Sequence, residues 1–328
     1  MPVSVVGTVA EWREAAGSVA RAAPALRSAG GATLAVVRGE LDRDLSALLD
    51  AFDLVAAGAD PERDAERWIA AFAANPQTAT VLVHTVRAAP SLLTESLAYS
   101  TLQSGPEHAK WLATRLVPSG PDQGARVRML ERDGVIALAL TRPERHNALD
   151  SRMRDELCDS LDALLAGTPG PIIVSGEGAS FCSGGDLSEF GLRVDPAHAH
   201  LVRTSRSVAA RFDRLSHRMV SAVHGACIGA GLELAAFSAC VVVADDARFR
   251  LPEIGFGLIP GSGGTVSVRR RIGARKLLDL ALTGREVTAE EAVRIGLADV
   301  VCRRDELLAF ASRVANALRD GDTPAPAI

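Results

Sequence analysis

Two glutamates, Glu233 and Glu253, carry the strongest chemical signal in this chain. Each sits in a stretch of small residues that leaves backbone amides uncovered: Gly225-Ala226-Cys227-Ile228-Gly229-Ala230-Gly231-Leu232-Glu233, then Leu251-Pro252-Glu253-Ile254-Gly255. Upstream, Ser180-Phe181-Cys182-Ser183-Gly184-Gly185-Asp186-Leu187 has the same character. Carboxylates move protons, and free N–H groups hold a developing oxyanion. The combination suits proton transfer beside a thioester carbonyl. A single glutamate at a helix start can simply answer the helix dipole; two in such surroundings point to chemistry.

Composition narrows the setting. The chain has 328 residues, 48% hydrophobic and 23% charged, which suits one large globular domain or two unequal ones. A net charge of −4 argues against a nucleic-acid partner, which needs clustered Lys and Arg. The five cysteines (Cys158, Cys182, Cys227, Cys240, Cys302) form no C-x-x-C pair, so neither a disulfide framework nor a metal site is expected. No charged-then-apolar leader and no bilayer-length apolar run is present, so a soluble cytoplasmic protein is expected.

The elements that must position the acids change character along the chain. The turn formers Pro118-Ser119-Gly120-Pro121-Asp122-Gln123-Gly124 predict a linker over 119–125. Before it, residues 1–118 read as mainly helical: Ala65, Trp68, Ile69 and Phe72 share one face of a helix over 63–73, and further helices are predicted over 91–102 and 106–116. After it, residues 126–328 alternate short strands with helices, an α/β pattern. Runs over 127–130 and 135–140 flank Asp133-Gly134, a hairpin signal. Asp150 or Ser151 caps a helix with Met153, Leu157, Leu161 and Leu164 on one face. Strands over 172–174, 219–223 and 240–244, a long helix over 202–215, a helix from Ala230 and a mainly helical segment from Gly264 complete the pattern.

Taken in order, these motifs resemble the crotonase (enoyl-CoA hydratase/isomerase) superfamily over residues 126 to about 315. Thr141-Arg142-Pro143-Glu144-Arg145-His146-Asn147-Ala148-Leu149 is similar to the signature bordering its CoA site. The stretch 181–187 is similar to its first oxyanion loop and 223–234 to its second. Residues 251–264, with Pro260-Gly261-Ser262-Gly263-Gly264, are similar to the segment carrying its second acid. The resemblance implies an α/β fold, a crotonase-like spiral of ββα repeats with an additional helical module. It implies Glu233 and Glu253 as the two acids that position and polarise water, and the N–H groups of Gly185 and Ala230 as the oxyanion hole. Ala230 stands where the family usually has glycine, and an amide is retained. Arg145, Ala148, Ser183, Asp186 and Leu187 are implied as substrate or CoA contacts, although Asp186 also reads as a structural acceptor of loop amides. His146 and His224 have no evident carboxylate partner, and Cys182 and Cys227 read as small buried hydrophobes.

The activity implied is addition of water to a 2-enoyl-CoA, with coenzyme A entering as part of the substrate and no other cofactor. The acyl chain would be read by side chains between Phe190 and Leu215 and by the helical module. A homotrimer or dimer of trimers is implied, with no nucleic-acid or membrane partner. The alternatives are double-bond isomerisation, cofactor-free oxygenation, or a CoA-binding pseudoenzyme scaffold. The segment 65–116 resembles the family's C-terminal helices, and Asp53-Leu54-Val55 is similar to Asp299-Val300-Val301, so a circular permutation is expected, with an unrelated helical extension as the alternative. On that reading His84, eight positions after Pro76, and Arg87 one turn on reach a CoA phosphate.

Overall fold

The computed structural model describes residues 2–115, 124–167, 169–192 and 195–320. Apart from Gly124 and Ala125, the linker expected over 119–125 lies outside the described residues.

The chain opens with β1 (Val3–Thr8), α1 (Val9–Glu14), α2 (Ala16–Arg27), β2 (Thr33–Arg38), α3 (Arg43–Leu48) and β3 (Leu54–Ala56). The three strands form a parallel sheet in the order β1-β2-β3. Helices still make up most of residues 2–115, but this sheet was not among the elements expected from the sequence. In β2 five consecutive residues, Thr33 to Val37, are buried, so no polar alternation marks the strand. Four helices follow: α4 (Pro61–Ala74), α5 (Pro76–Arg87), α6 (Leu92–Gln103) and α7 (Pro106–Thr114). Asp60 and Ser91 cap α4 and α6 through side-chain oxygens that accept the N–H of Arg63 and Thr94.

The remainder runs β4 (Val127–Arg132), β5 (Val135–Leu140), α8 (Ser151–Leu165), β6 (Ile172–Gly176), α9 (Pro196–Ser205), α10 (Val208–Leu215), β7 (Met219–Val223), β8 (Ala226–Ile228), α11 (Ala230–Ala235), β9 (Cys240–Ala244), β10 (Arg248–Arg250), α12 (Gly264–Thr283), β11 (Val287–Thr288), α13 (Ala289–Ile295), β12 (Val300–Cys302) and α14 (Leu307–Arg319). A six-stranded sheet is ordered β12-β9-β7-β6-β5-β4, parallel except for the β4–β5 hairpin. Asp133 and Gly134 both take positive φ in that hairpin turn, as its two central positions demand. A small sheet, β11-β10-β8, stands apart from it. The single helix expected over 202–215 is instead two. The Ser207 hydroxyl accepts the N–H of Ala210 and starts α10 afresh.

The N-terminal sheet has a small core of its own on one face, built by Trp12, Val19, Ala35, Val37, Leu45, Leu49 and Phe52, and its other face joins the main core. Leu34, Leu54, Trp68, Phe72, Leu82 and Leu102 belong to one buried apolar cluster with Leu138, Phe181, Leu232 and Leu278. The Trp68 indole N–H donates to Asp279 of α12 at 2.9 Å. The closing strands β3 and β12 are anchored alike. The N–H of Asp53 donates to the Thr33 carbonyl while its carboxylate accepts the Thr33 N–H. Asp299 makes the same reciprocal pair with Val241. Each aspartate is also met by an arginine, Arg87 or Arg271. No helix among the described residues is long and apolar enough to cross a membrane.

Candidate active site

The expected acids and amides meet in one cavity of about 420 Å³, lined among others by Gly185, Asp186, Ala230, Glu233 and Glu253. Glu233 lies in the first turn of α11 and is 2% exposed. Its Oε2 accepts the N–H of Ser262 at 2.7 Å and of Gly264 at 2.8 Å. A Cβ at Gly264 would lie 2.6 Å from the Glu233 Cγ, so only glycine lets the carboxylate lie so close to the start of α12. Glu253 opens a 3-10 turn over Glu253–Phe256 and is 9% exposed. Its Oε2 is buried with no hydrogen-bond partner among the described residues. Gly229 answers it: φ is +50°, and a Cβ there would meet Glu253 Oε1 at 2.6 Å.

Burial and repulsion between carboxylates drive the electrostatics. Burial, then the charges of Glu253 and Glu95, push Glu233 well above the usual carboxylate range. Burial pushes Glu253 up to about 8. Two amide donors favour the ionised form of Glu233, and the unpartnered Oε2 of Glu253 favours a proton. With one proton on such a pair, one member can accept while the other donates.

The amide donors come from two loops that touch. Among the described residues no backbone acceptor takes the N–H of Gly185 or of Ala230. Ala230 is the first residue of α11, where the N–H has no intrahelical acceptor. A Cβ on Gly184 would lie 3.8 Å from the Ala230 nitrogen, which sets the two loops side by side. The first loop is held by a buried network. Arg142 pairs with Asp186 at 2.7 Å, and the Asn147 amide donates to the carbonyls of Glu177 and Ser180. Asp186 also accepts the N–H and O–H of Ser188. Against the cost of burial, these bonds and Arg142 hold its carboxyl below the usual range. Asp186 thus lines the cavity and braces its wall at once.

Of the other expected contacts, Arg145, Ala148, Ser183 and Leu187 lie on the loops beside the cavity without lining it. Arg87 and His84 stand elsewhere, at the seam between α5 and the N-terminal sheet. Arg87 is bonded to Asp53 and to the carbonyls of Ala29 and Gly31, and His84 Nε2 lies 3.1 Å from the Gly30 carbonyl. His146 meets Ser180 and His224 meets the Gly178 carbonyl, with no carboxylate bonded to either ring among the described residues. All five cysteines are free thiols.

The cavity wall includes Phe190, Leu192, Ala199, Val202, Arg203 and Val208, all inside the 190–215 segment expected to face the acyl chain. Phe190 stacks edge-on against Trp111 at 5.6 Å, and Trp111 packs on Phe256 at 4.8 Å. The Phe190 ring would sit 3.0 Å from a Cβ on Gly185, so it roofs the first oxyanion loop. The helical module was expected at the acyl chain with none of its residues singled out; of α6, Glu95, Ser96, Tyr99 and Gln103 line the cavity, and Glu95 went unmarked. The one available signal was an acid in the first turn of a helix, which marks no site by itself.

The chain belongs to the enoyl-CoA hydratase/isomerase family, whose model matches residues 131–325. A fatty acid oxidation complex subunit alpha of Shewanella amazonensis is 37% identical over 189 residues, 56% of this chain and 27% of that protein. The 2,3-dehydroadipyl-CoA hydratase of Escherichia coli is 34% identical over 183 residues, 56% of this chain and 71% of the relative. Among solved structures, a Thermobifida fusca homologue in complex with CoA is 30% identical, with a TM-score of 0.54 over 60% of this chain and 79% of its own. The chain therefore spans about a quarter of the Shewanella subunit, 71% of the Escherichia coli hydratase and 79% of the Thermobifida chain.

Proposed function

We propose that the protein is a lyase that adds water across the 2,3 double bond of an enoyl-CoA thioester. One observation carries this: two buried carboxylates, Glu233 and Glu253, face one cavity with the uncommitted N–H groups of Gly185 and Ala230. The thioester oxygen would lie between the two amides. The ionised glutamate takes a proton from water as the water oxygen bonds to C3. The π electrons pass through C2 to the carbonyl oxygen, giving an enolate that the amides stabilise. The protonated glutamate then delivers its proton to C2. One molecule of water is added and the pair again holds one proton. Removing a single oxyanion donor typically costs about 3 kcal/mol of transition-state stabilisation.

The family match, the hydratase names of the relatives and the CoA complex of the Thermobifida homologue support a CoA thioester as substrate. Isomerisation needs only one proton-shuttling acid, so the retained pair favours hydration. The helices α4–α7, packed in one core with the family-matching region, support a permuted arrangement in which they occupy the place of the family's C-terminal helices. The test is incubation with crotonyl-CoA and with longer and aromatic enoyl-CoAs, following loss of the conjugated thioester absorbance. Absence of turnover with all of them, by a protein that still binds CoA, overturns the hydratase reading in favour of the scaffold.

A further inference from the structure

Four successive amides at the start of α12 are shared in strict alternation by two glutamates. Ser262 and Gly264 donate to Glu233. Gly263 donates to Glu95 Oε1 at 2.7 Å, and Thr265 donates to Glu95 Oε2 through both its N–H, at 2.9 Å, and its hydroxyl, at 2.6 Å. Glu95 comes from α6, well ahead of the stretch that matches the family, yet it is 2% exposed and lines the same cavity as Glu233 and Glu253.

Placing a third acid beside two others is costly unless something fixes it there, and the three donors of α12 do so. Here successive amides turn alternately toward Glu233 and Glu95. The carboxylate on one side therefore sets the direction of the amides on the other. The elements packed around Glu95 supply few other charges: Glu233 of α11, Glu253, Tyr99 of its own helix, and Arg203 of α9. Arg203 lies over the Tyr99 ring at 4.6 Å and bonds Ser96, Ser100 and Gln103, while His200 Nδ1 meets the Ser96 hydroxyl at 2.9 Å. No cation pairs directly with the Glu95 carboxylate among the described residues.

We propose that Glu95 is a positioning residue for the reaction, fixing the peptide groups that hold Glu233 and so making α6 part of the active site. This rests on the hydratase reading. Two consequences separate it from a purely structural role. Loss of Glu95 frees the 262–265 backbone and misplaces Glu233 in the transition state. It also removes a carboxyl, itself raised by burial to about 7, whose charge when ionised favours protonation of the Glu233–Glu253 pair.

The test uses the full chain and crotonyl-CoA, or whichever enoyl-CoA the wild type turns over. Glu95→Gln is expected to lower kcat by about 10- to 100-fold with KM within about twofold, since misplacement by an ångström costs on this scale. The acid limb of its kcat–pH profile should move to lower pH. Glu95→Asp keeps the charge on a shorter stem, so its acid limb should return toward the wild type while kcat stays low. Thr265→Val, a milder change that deletes one donor to Glu95, should lower kcat without altering KM. Wild-type kcat with an unmoved acid limb in Glu95→Gln overturns the proposal. So does a lowered melting temperature in that variant with kcat and the acid limb unmoved. Should Glu95→Gln fail to fold, wild-type kinetics in both Glu95→Asp and Thr265→Val overturn it. An activity-free measurement separates this from failure of the hydratase reading: carbon-13 NMR titration of glutamate-labelled protein. The Glu233 and Glu253 carboxyl resonances, assigned from their Gln variants, should titrate at lower pH in Glu95→Gln or Glu95→Asp whichever folds, more so in the former. If the wild type hydrates no enoyl-CoA, this shift still supports Glu95 and unmoved midpoints still overturn it.

Discussion

Arg87 and Asp53 form a two-pronged, largely buried ion pair, with Nε 3.0 Å from Oδ1 and Nη2 2.6 Å from Oδ2. Asp53 is the residue that anchors β3 to β2, so the pair fastens α5 to the N-terminal sheet. Arg87→Ala would leave that carboxylate without its cation and should destabilise the fold by about 2–3 kcal/mol. Denaturant melts measure this. If KM for the CoA thioester rises with stability unchanged, Arg87 is a phosphate ligand after all.

Glu233→Gln and Glu253→Gln are nearly isosteric and should keep the fold. Each removes a proton carrier that acts in the transition state, so kcat should fall by about 10²-fold or more while KM changes little. Steady-state kinetics decide the matter, and wild-type turnover in either variant removes that residue from the reaction.

Gly264→Ala probes the seat of Glu233. The new methyl would press on the Glu233 side chain, while alanine at the first position of a helix costs the fold little. The expected outcome is a large loss of kcat with a melting temperature near that of the wild type. Ala230→Gly should by contrast be tolerated, because the amide remains.

The pH dependence of stability follows from Glu253, whose carboxyl is raised by burial from 4.5 to about 8. Between those values the folded chain holds a proton that the unfolded chain has lost. The stability that this proton provides is complete below pH 4.5 and is lost as pH rises to about 8, at up to about 1.4 kcal/mol per pH unit. Glu253→Gln abolishes the term. Its melting temperature relative to the wild type should therefore climb between pH 5 and pH 8, and a constant difference across that range would contradict the burial argument.

Residues 124–328 expressed alone should associate or precipitate. Trp68, Phe72 and Leu82 cover the apolar face that α12 presents, and their removal opens a contiguous apolar patch. A monodisperse, active truncated protein in light scattering and kinetics would show that the N-terminal elements are an appendage.

The site was legible where chemistry is written locally. Glu233 and Glu253 each stand in a glycine-bearing stretch that can be read without a structure, although which glycine seats which acid, Gly229 against Glu253 and Gly264 against Glu233, is settled only by the fold. The match between Asp53 and Asp299 was legible too, because each starts a short buried strand that follows the same rule. Glu95 was not legible. Its partners are 168 and 170 positions away, and nothing in Leu92-Leu93-Thr94-Glu95 distinguishes a buried acid from an ordinary first-turn glutamate. The strand β2 was hidden for a related reason: Thr33 to Val37 are all buried, so no alternation reached the sequence.

The chain of rings from Trp111 through Phe190 to the first oxyanion loop gives the protein its own optical reporter. Of the three tryptophans, Trp12 is packed against Phe52 and Trp68 is bonded to Asp279, both away from the cavity. Trp111 alone of the three touches a ring that lines the cavity. Its emission should therefore change on occupancy, so that dissociation constants can be read from unlabelled protein with saturated acyl-CoAs that never react.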